Sequence, residues 1–171
     1  MITKLNLYKE SILVPRNIEG RKDKLKQQNL KLLSQEIING NLIIDESFIF
    51  DESLYKYIKV KQINGHVRIQ NLISIIKDKK VIYDTLSDYI PGWLENVVIN
   101  GDFNCNNNKL KFLKGCPKRI NGTFNCGYNE LTSLEYGPKI VRGDYFCNNN
   151  KTQFTEEYVK SLCDVKSTCI I

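Results

Sequence analysis

The stretch Ile99–Pro117 reads INGDFNCNNNKLKFLKGCP, and Ile120–Pro138 reads INGTFNCGYNELTSLEYGP. A third copy opens at Val141 with VRGDYFCNNNKT. Gly101, Gly122 and Gly143 fall 21 residues apart (122 − 101 and 143 − 122). Cys105, Cys126 and Cys147 keep that interval, as do Asn108, Asn129 and Asn150, and Pro117 matches Pro138. Several residue types held at one period define a repeat, and a repeat constrains the architecture before any single element does.

Within each copy the pattern has period two. Ile99, Gly101, Phe103 and Cys105 alternate with Asn100, Asp102 and Asn104, which predicts one strand with an inward and an outward row. Ile120, Gly122, Phe124 and Cys126 repeat the inward row, and so do Val141, Gly143, Tyr145 and Cys147. An asparagine-rich turn follows, then Leu110 and Leu113, or Leu131 and Leu134, which return to the same core. Glycine and proline punctuate the return. Upstream the frame recurs more weakly as Ile38, Gly40, Leu42 and Ile44, and as Ile63, Gly65, Val67 and Ile69. The irregular residues 70–97 leave two readings open: a degenerate rung near Val81-Ile82-Tyr83, or an excursion from the stack.

One such coil cannot bury its apolar row alone, whereas stacked coils bury a continuous one. The expected fold is therefore α+β: a short parallel β-solenoid over residues 38–154, after an N-terminal cap segment, residues 1–37, and before a C-terminal capping helix and tail, residues 155–171. Stacked cysteines serve as small apolar fillers. The turn asparagines carry both donor and acceptor for backbone groups left unpaired where the chain bends.

The motifs FNCNNNKLKFL and FNCGYNELTSL resemble the leucine-rich-repeat core, apolar-x-apolar-x-x-Asn-x-Leu-x-x-Leu. Phe103, Cys105, Asn108, Leu110 and Leu113 fit it, and so do Phe124, Cys126, Asn129, Leu131 and Leu134. The third copy departs, with Thr152 and Thr155 in place of the leucines. The glycine-aromatic-Asn-Cys style, in a lysine- and asparagine-rich chain, is similar to short repeat proteins encoded by large bacteriophages. That resemblance implies a viral accessory protein working in the host cytoplasm against a host factor, such as a defence protein that it sequesters.

At the C-terminal side, QFTEEYVKSLCDV predicts a short helix with Thr155 as N-cap and Glu156 and Glu157 at its positive start. This helix is expected to cover the last rung. Leu25, Leu30, Leu32 and Leu33 suggest another helix over about Arg21–Gln35, and NLYKESILVP reads as an edge strand ended by Pro15.

The whole chain fits a single domain of 171 residues, 42% hydrophobic and 26% charged. No apolar run approaches the ~20 residues of a membrane helix. Charge within MITKLNLYKE argues against an export signal. Six cysteines without such a signal point to reduced thiols in a cytoplasm. The formal charge of +6 gathers in clusters such as Arg21–Lys26 and Lys77–Lys80, with acidic residues between. This permits nucleic-acid contact and fits a solvated lysine face equally well.

Sites for chemistry are sparse. No cysteine pair has the Cys-x2-4-Cys spacing of a zinc site. Side chains stacked on parallel strands point the same way, which disfavours disulfides along the repeat row; Cys163 and Cys169 have more freedom, and Cys116 lies off that row. His66 is the only histidine, placed on the outward row with no partner evident in sequence. Adjacent carboxylates at Asp45-Glu46 and Asp51-Glu52 read as loop charges. The glycines follow the rungs and no Walker-type loop is present. No cofactor and no catalytic residue is expected. Trp93 reads as a core or cap residue, or else as an anchor for a partner.

The outward rows are the expected binding surface, in three columns: Asn100, Asn121 and Arg142; His66, Asp102, Thr123 and Asp144; and Arg68, Asn104, Asn125 and Phe146. The leading expectation is a non-catalytic module that docks a protein partner. A nucleic-acid binder using the lysine-rich N-terminal half, and a structural virion component, are the alternatives. No membrane partner is expected.

Overall fold

In the computed structural model of the protein, residues 18–45, 52–69, 76–77, 80–81 and 90–171 are described. The expected N-terminal edge strand lies outside them. The first element is α1 (Ile18–Leu33). Its end is tied to the stack: Leu33 is fully buried, and its carbonyl accepts the Lys59 and Val60 N–H groups at 2.8 and 3.1 Å.

Two strands come from each coil. The first coil holds β1 (Ile37–Asn39) and β2 (Leu42–Ile44), and the second β3 (Gln62–Asn64) and β4 (Val67–Ile69). A two-residue antiparallel ladder, β5 (Ile76–Lys77) with β6 (Lys80–Val81), stands apart. The third coil holds β7 (Val98–Ile99) and β8 (Phe103–Asn104), the fourth β9 (Arg119–Ile120) and β10 (Phe124–Asn125), the fifth β11 (Ile140–Val141) and β12 (Tyr145–Phe146). Helix α2 (Glu156–Leu162) follows, and then β13 (Asp164–Val165) and β14 (Cys169–Ile170). One parallel sheet runs β1-β3-β7-β9-β11-β13 and the other β14-β12-β10-β8-β4-β2. The solenoid is thus a stack of coils that each place one strand in either sheet.

Two features differ from the sequence expectation, and a third bears on a reading left open. The single strand read across Ile99 to Cys105 is broken at Gly101 into β7 and β8, which belong to different sheets. The glycines mark the corner. A Cβ on Gly101 would lie 2.5 Å from the Gly65 carbonyl oxygen, and one on Gly143 would lie 2.8 Å from the Gly122 carbonyl carbon. Coils therefore approach backbone to backbone at this column, and a side chain there would pry them apart.

Val67 pairs directly with Phe103 and Gln62 with Val98, so the second coil abuts the third with no rung between them. The β5–β6 ladder belongs to neither long sheet, and Ile82 and Tyr83 of the candidate rung lie outside the described residues. Trp93 is buried in the core.

The sheets also continue past α2. Its N-cap is as expected, with the Tyr158 N–H donating to Thr155 Oγ1 at 3.2 Å, and Val159 is buried. Ile140 then pairs with Asp164 and Tyr145 with Cys169, so the tail forms a sixth coil. The alternation Val165, Ser167, Cys169, Ile171 carried this signal, with serine in the glycine position.

The core follows the predicted inward row. Phe103, Phe124 and Tyr145 are buried in one column. The phenylalanine rings stack with centroids 6.0 Å apart, and Phe124 meets Tyr145 edge-on at 4.9 Å. Such contacts add about 0.5–1.5 kcal/mol each to the area they bury. Cys105 and Cys126 are buried beside them, and each thiol donates to the carbonyl of the next coil, Asn125 or Phe146, at 3.4 Å.

Turn asparagines hold the opposite side. The Asn129 Nδ2 group donates to the carbonyls of Cys105 and Cys126, both at 3.0 Å, and of Gly127 at 3.2 Å. Its Oδ1 accepts the Asn108 and Leu110 N–H groups at 2.9 and 3.0 Å. One buried amide thereby satisfies backbone groups of two coils, which water cannot reach. Positive φ at Asn107, Tyr128 and Asn149, just before these turns deliver their asparagines, fits the short polar residues better than the tyrosine.

Candidate functional site

The structure places the three outward columns on three distinct surfaces. Asn100 and Asn121 sit on the first sheet, in register with Asn64 and Asn39. Their side chains bond to one another along the stack. Asn64 Nδ2 donates to Asn39 Oδ1 at 2.7 Å, Asn100 to Asn64 at 2.7 Å, and Asn121 to Asn100 at 2.6 Å. Arg142 continues this column as an exposed guanidinium.

The second column, His66, Asp102, Thr123 and Asp144, lies at the corner immediately after each glycine. There it binds backbone. Asn41 Oδ1 accepts the His66 N–H at 2.8 Å, Asp102 Oδ1 accepts the Thr123 N–H at 2.8 Å, and Asp144 Oδ1 accepts the Thr168 N–H at 3.1 Å. His66 Nδ1 accepts the Asp102 N–H at 3.0 Å. Asp102 Oδ2 lies 3.0 Å from that same nitrogen. An Nδ1 without a proton accepts from the amide, whereas an Nδ1–H donates to the carboxylate, so one nitrogen serves either contact but not both. The breaks between sheets leave corner amides without ladder partners, and these side chains supply them. The Ser167 hydroxyl, together with the Thr168 amide, holds the Asp144 carboxyl below the usual aspartate range.

Arg68, Asn104, Asn125 and Phe146 are adjacent on the outer face of the second sheet. Asn104 and Asn125 turn their Oδ1 atoms to the N–H groups of Asn106 and Gly127, both at 3.0 Å. Arg68 is exposed and Phe146 half-buried. Phe146 pairs in register with Ile170, which the sequence reading did not place, and Ile170 is 38% exposed.

Three further exposed aromatics, also missed in sequence, sit at an inner turn and on the return segments. Phe112, Tyr128 and Tyr136 are 54%, 59% and 58% exposed. Lys109, Lys111 and Lys114 are exposed near Phe112 in sequence, and the Glu130 carboxyl is held below the usual glutamate range first by its bond to Lys151 and further by Lys111 and Lys109. Their period is broken by the repeat's own variation, so no column in the sequence announced them.

Burial raises Cys105, Cys116 and Cys126 far above the ordinary thiol range and pushes Cys147 and Cys163 up to about 12. All six cysteines are free. Among the described residues no group of three His, Cys, Asp or Glu side chains is placed to hold a metal ion, and no helix is long and apolar enough to cross a membrane. Glu46 and Asp51, of the carboxylate pairs noted above, lie outside the described residues.

Comparison with protein-family models, with curated proteins and with solved structures finds no match to this chain.

Proposed function

We propose that this protein is a non-catalytic repeat module that docks another protein on the outer face of its second sheet. The observation that supports it most directly is the pairing of Phe146 with Ile170 on that face, two apolar side chains held outward on rigid strands. Arg142 stands on the other side of the corner in the same coil. Aromatic and arginine side chains are the residue types that dominate protein interfaces, and solenoids present extended surfaces of this kind.

The leucine-rich-repeat likeness and the similarity to short phage proteins extend this reading. The partner is then a host factor such as a defence protein, met in the host cytoplasm. The corner column contributes less, since His66 Nδ1, Asp102 Oδ1 and Asp144 Oδ1 are engaged by backbone N–H groups.

A second reading is favoured by one observation. Exposed Phe112 lies on a return segment with exposed Lys109, Lys111 and Lys114, and exposed Tyr128 and Tyr136 lie at the turn and return of the next coil; aromatics with lysines are the mixture used by single-strand nucleic-acid platforms.

Affinity capture from bacterial lysate separates the readings. A partner retained after nuclease, and lost with Phe146→Ala and Arg142→Ala, supports protein docking. Capture that is unchanged in both variants would sink it. Salt-sensitive binding of single-stranded DNA, lost in Phe112→Ala and Tyr128→Ala, would instead favour the second reading.

A further inference from the structure

We propose that the protein forms a two-fold dimer through its sixth coil, with β13 of each copy pairing antiparallel to β14 of the other. The two ends of the stack differ in the way this needs. In the first coil the inward residues Ile38, Leu42 and Ile44 are 7%, 5% and 0% exposed. In the sixth coil Val165 and Cys169 are half-buried and Ile171 is 43% exposed. Among the described residues the apolar column is closed at the first coil and only partly covered at the sixth, where α2 lies against both strands.

The sixth coil also has unfilled backbone valence. Among the described residues β13 and β14 are the terminal strands of their sheets, each paired on one edge. The Asp164 and Lys166 N–H groups point back into the stack, to the Lys139 and Val141 carbonyls at 2.9 and 3.0 Å. The Thr168 and Ile170 carbonyls point back as well, accepting from Tyr145 and Cys147 at 2.8 and 2.9 Å. Backbone groups alternate between the two edges of a strand. The N–H and C=O groups of Val165, and those of Cys169, therefore face away from the stack.

The corner decides which partner fits. Val165 and Cys169 are each two residues from Ser167, which occupies the glycine position of this coil. A two-fold axis bisecting the corner exchanges the two arms, so it lays Val165 of one copy opposite Cys169 of the other and runs the strands antiparallel. Both residues present N–H and C=O to the new edge, which is the arrangement of a hydrogen-bonded antiparallel pair. Two such pairs form by symmetry, and each sheet continues into the other sheet of the second copy. The inward faces of Val165 and Cys169 then complete the cover of the core. A lone extended peptide fills one arm only. Charges do not oppose this contact, because Asp164 and Lys166 of β13 meet Ile170 and Thr168 of the second copy. Such an interface is self-complementary, as a closed dimer requires, and it removes two exposed edges.

Sedimentation of the full chain over a concentration series tests it. A species of twice the 19.8 kDa chain mass is expected. Val165→Pro deletes an N–H that no other strand of the same copy uses, and it should weaken the dimer at least tenfold. Val165→Cys, treated with a mild added thiol oxidant, should give a disulfide between the introduced thiol of one copy and Cys169 of the other. The pair's Cα separation of ~5.5 Å lies in the bridging window. In the unaltered chain, exchange of the Val165 and Cys169 amides should slow as concentration rises, a readout independent of whether any variant folds. A monomer at every concentration, a dimer indifferent to Val165→Pro, amide exchange independent of concentration, or an open-ended polymer overturns the proposal. None of these results bears on docking at Phe146, which lysate capture reads separately.

Discussion

Two asparagine columns run along this stack, one on the outside of the first four coils and one at the inner turns of the third to fifth, and they work differently. Asn108, Asn129 and Asn150 lie at the inner turns, where their amides bond backbone groups of neighbouring coils. Asn64, Asn100 and Asn121 lie on the outer face and bond one another. The residue type is the same, and the outer bonds, at 2.6 and 2.7 Å, are even shorter than the inner ones at 3.0 to 3.2 Å. What differs is the alternative available to each partner. An outer amide deprived of its neighbour turns to water. An inner carbonyl or N–H deprived of its asparagine has no water to turn to, so the cost is the full desolvation penalty.

The sharpest way to break this contrast is Asn129→Ala. It strands several backbone groups at about 1–3 kcal/mol each, so a loss of about 3 kcal/mol or more is expected in urea unfolding. A smaller loss would mean that water enters the inner turn. Next comes Gly122→Ala at the corner between the columns. Its Cβ would lie 2.6 Å from the Gly101 carbonyl carbon, and spreading the coils should cost about 1–3 kcal/mol, the range for overpacking. Unchanged stability there would show that the corner opens freely.

Acid probes the sixth coil. The Asp144 carboxyl is held low by Ser167 and the Thr168 amide, so its contribution is present above the ordinary aspartate range. That contribution is lost as pH falls through the depressed folded value. Exchange of the Thr168 amide, corrected for its intrinsic pH dependence, should therefore accelerate below the usual aspartate range, and Asp144→Ala should show the faster rate at neutral pH. Equal rates in the two proteins would detach Asp144 from the coil. The smallest effect belongs to the outer column: Asn100→Ala should shift stability by no more than about 0.5 kcal/mol. A loss matching that of Asn129→Ala would erase the distinction between the columns.

The corner explains why the candidate surface was only partly legible. Asp102 and Asp144 alternate with inward residues, so period two places them outside, and they are outside. That pattern cannot tell that the sheet breaks at each glycine and leaves an amide for them to bind. The sequence likewise could not rank Phe146 above Asn125, because the ranking depends on Ile170 lying beside it, from a coil that follows a helix. Exposed Phe112 and Tyr136 occupy positions filled by Ser133 and Gly115 in the neighbouring copies, so a reading by repeat register passed over them.

The amino-acid order by itself determined the stacked repeat, the buried aromatic column and the backbone role of the inner asparagines. These follow from which residues recur and at what spacing, since burial of an apolar row is written locally in every copy. Tertiary structure alone decided the break into two sheets, the direct contact of the second coil with the third, and the pairing of the tail's faint alternation with β11 and β12. Those features depend on which backbone edges meet. Hydrogen-bonding edges carry no side-chain signature, and a glycine becomes a corner only when another glycine lies against it.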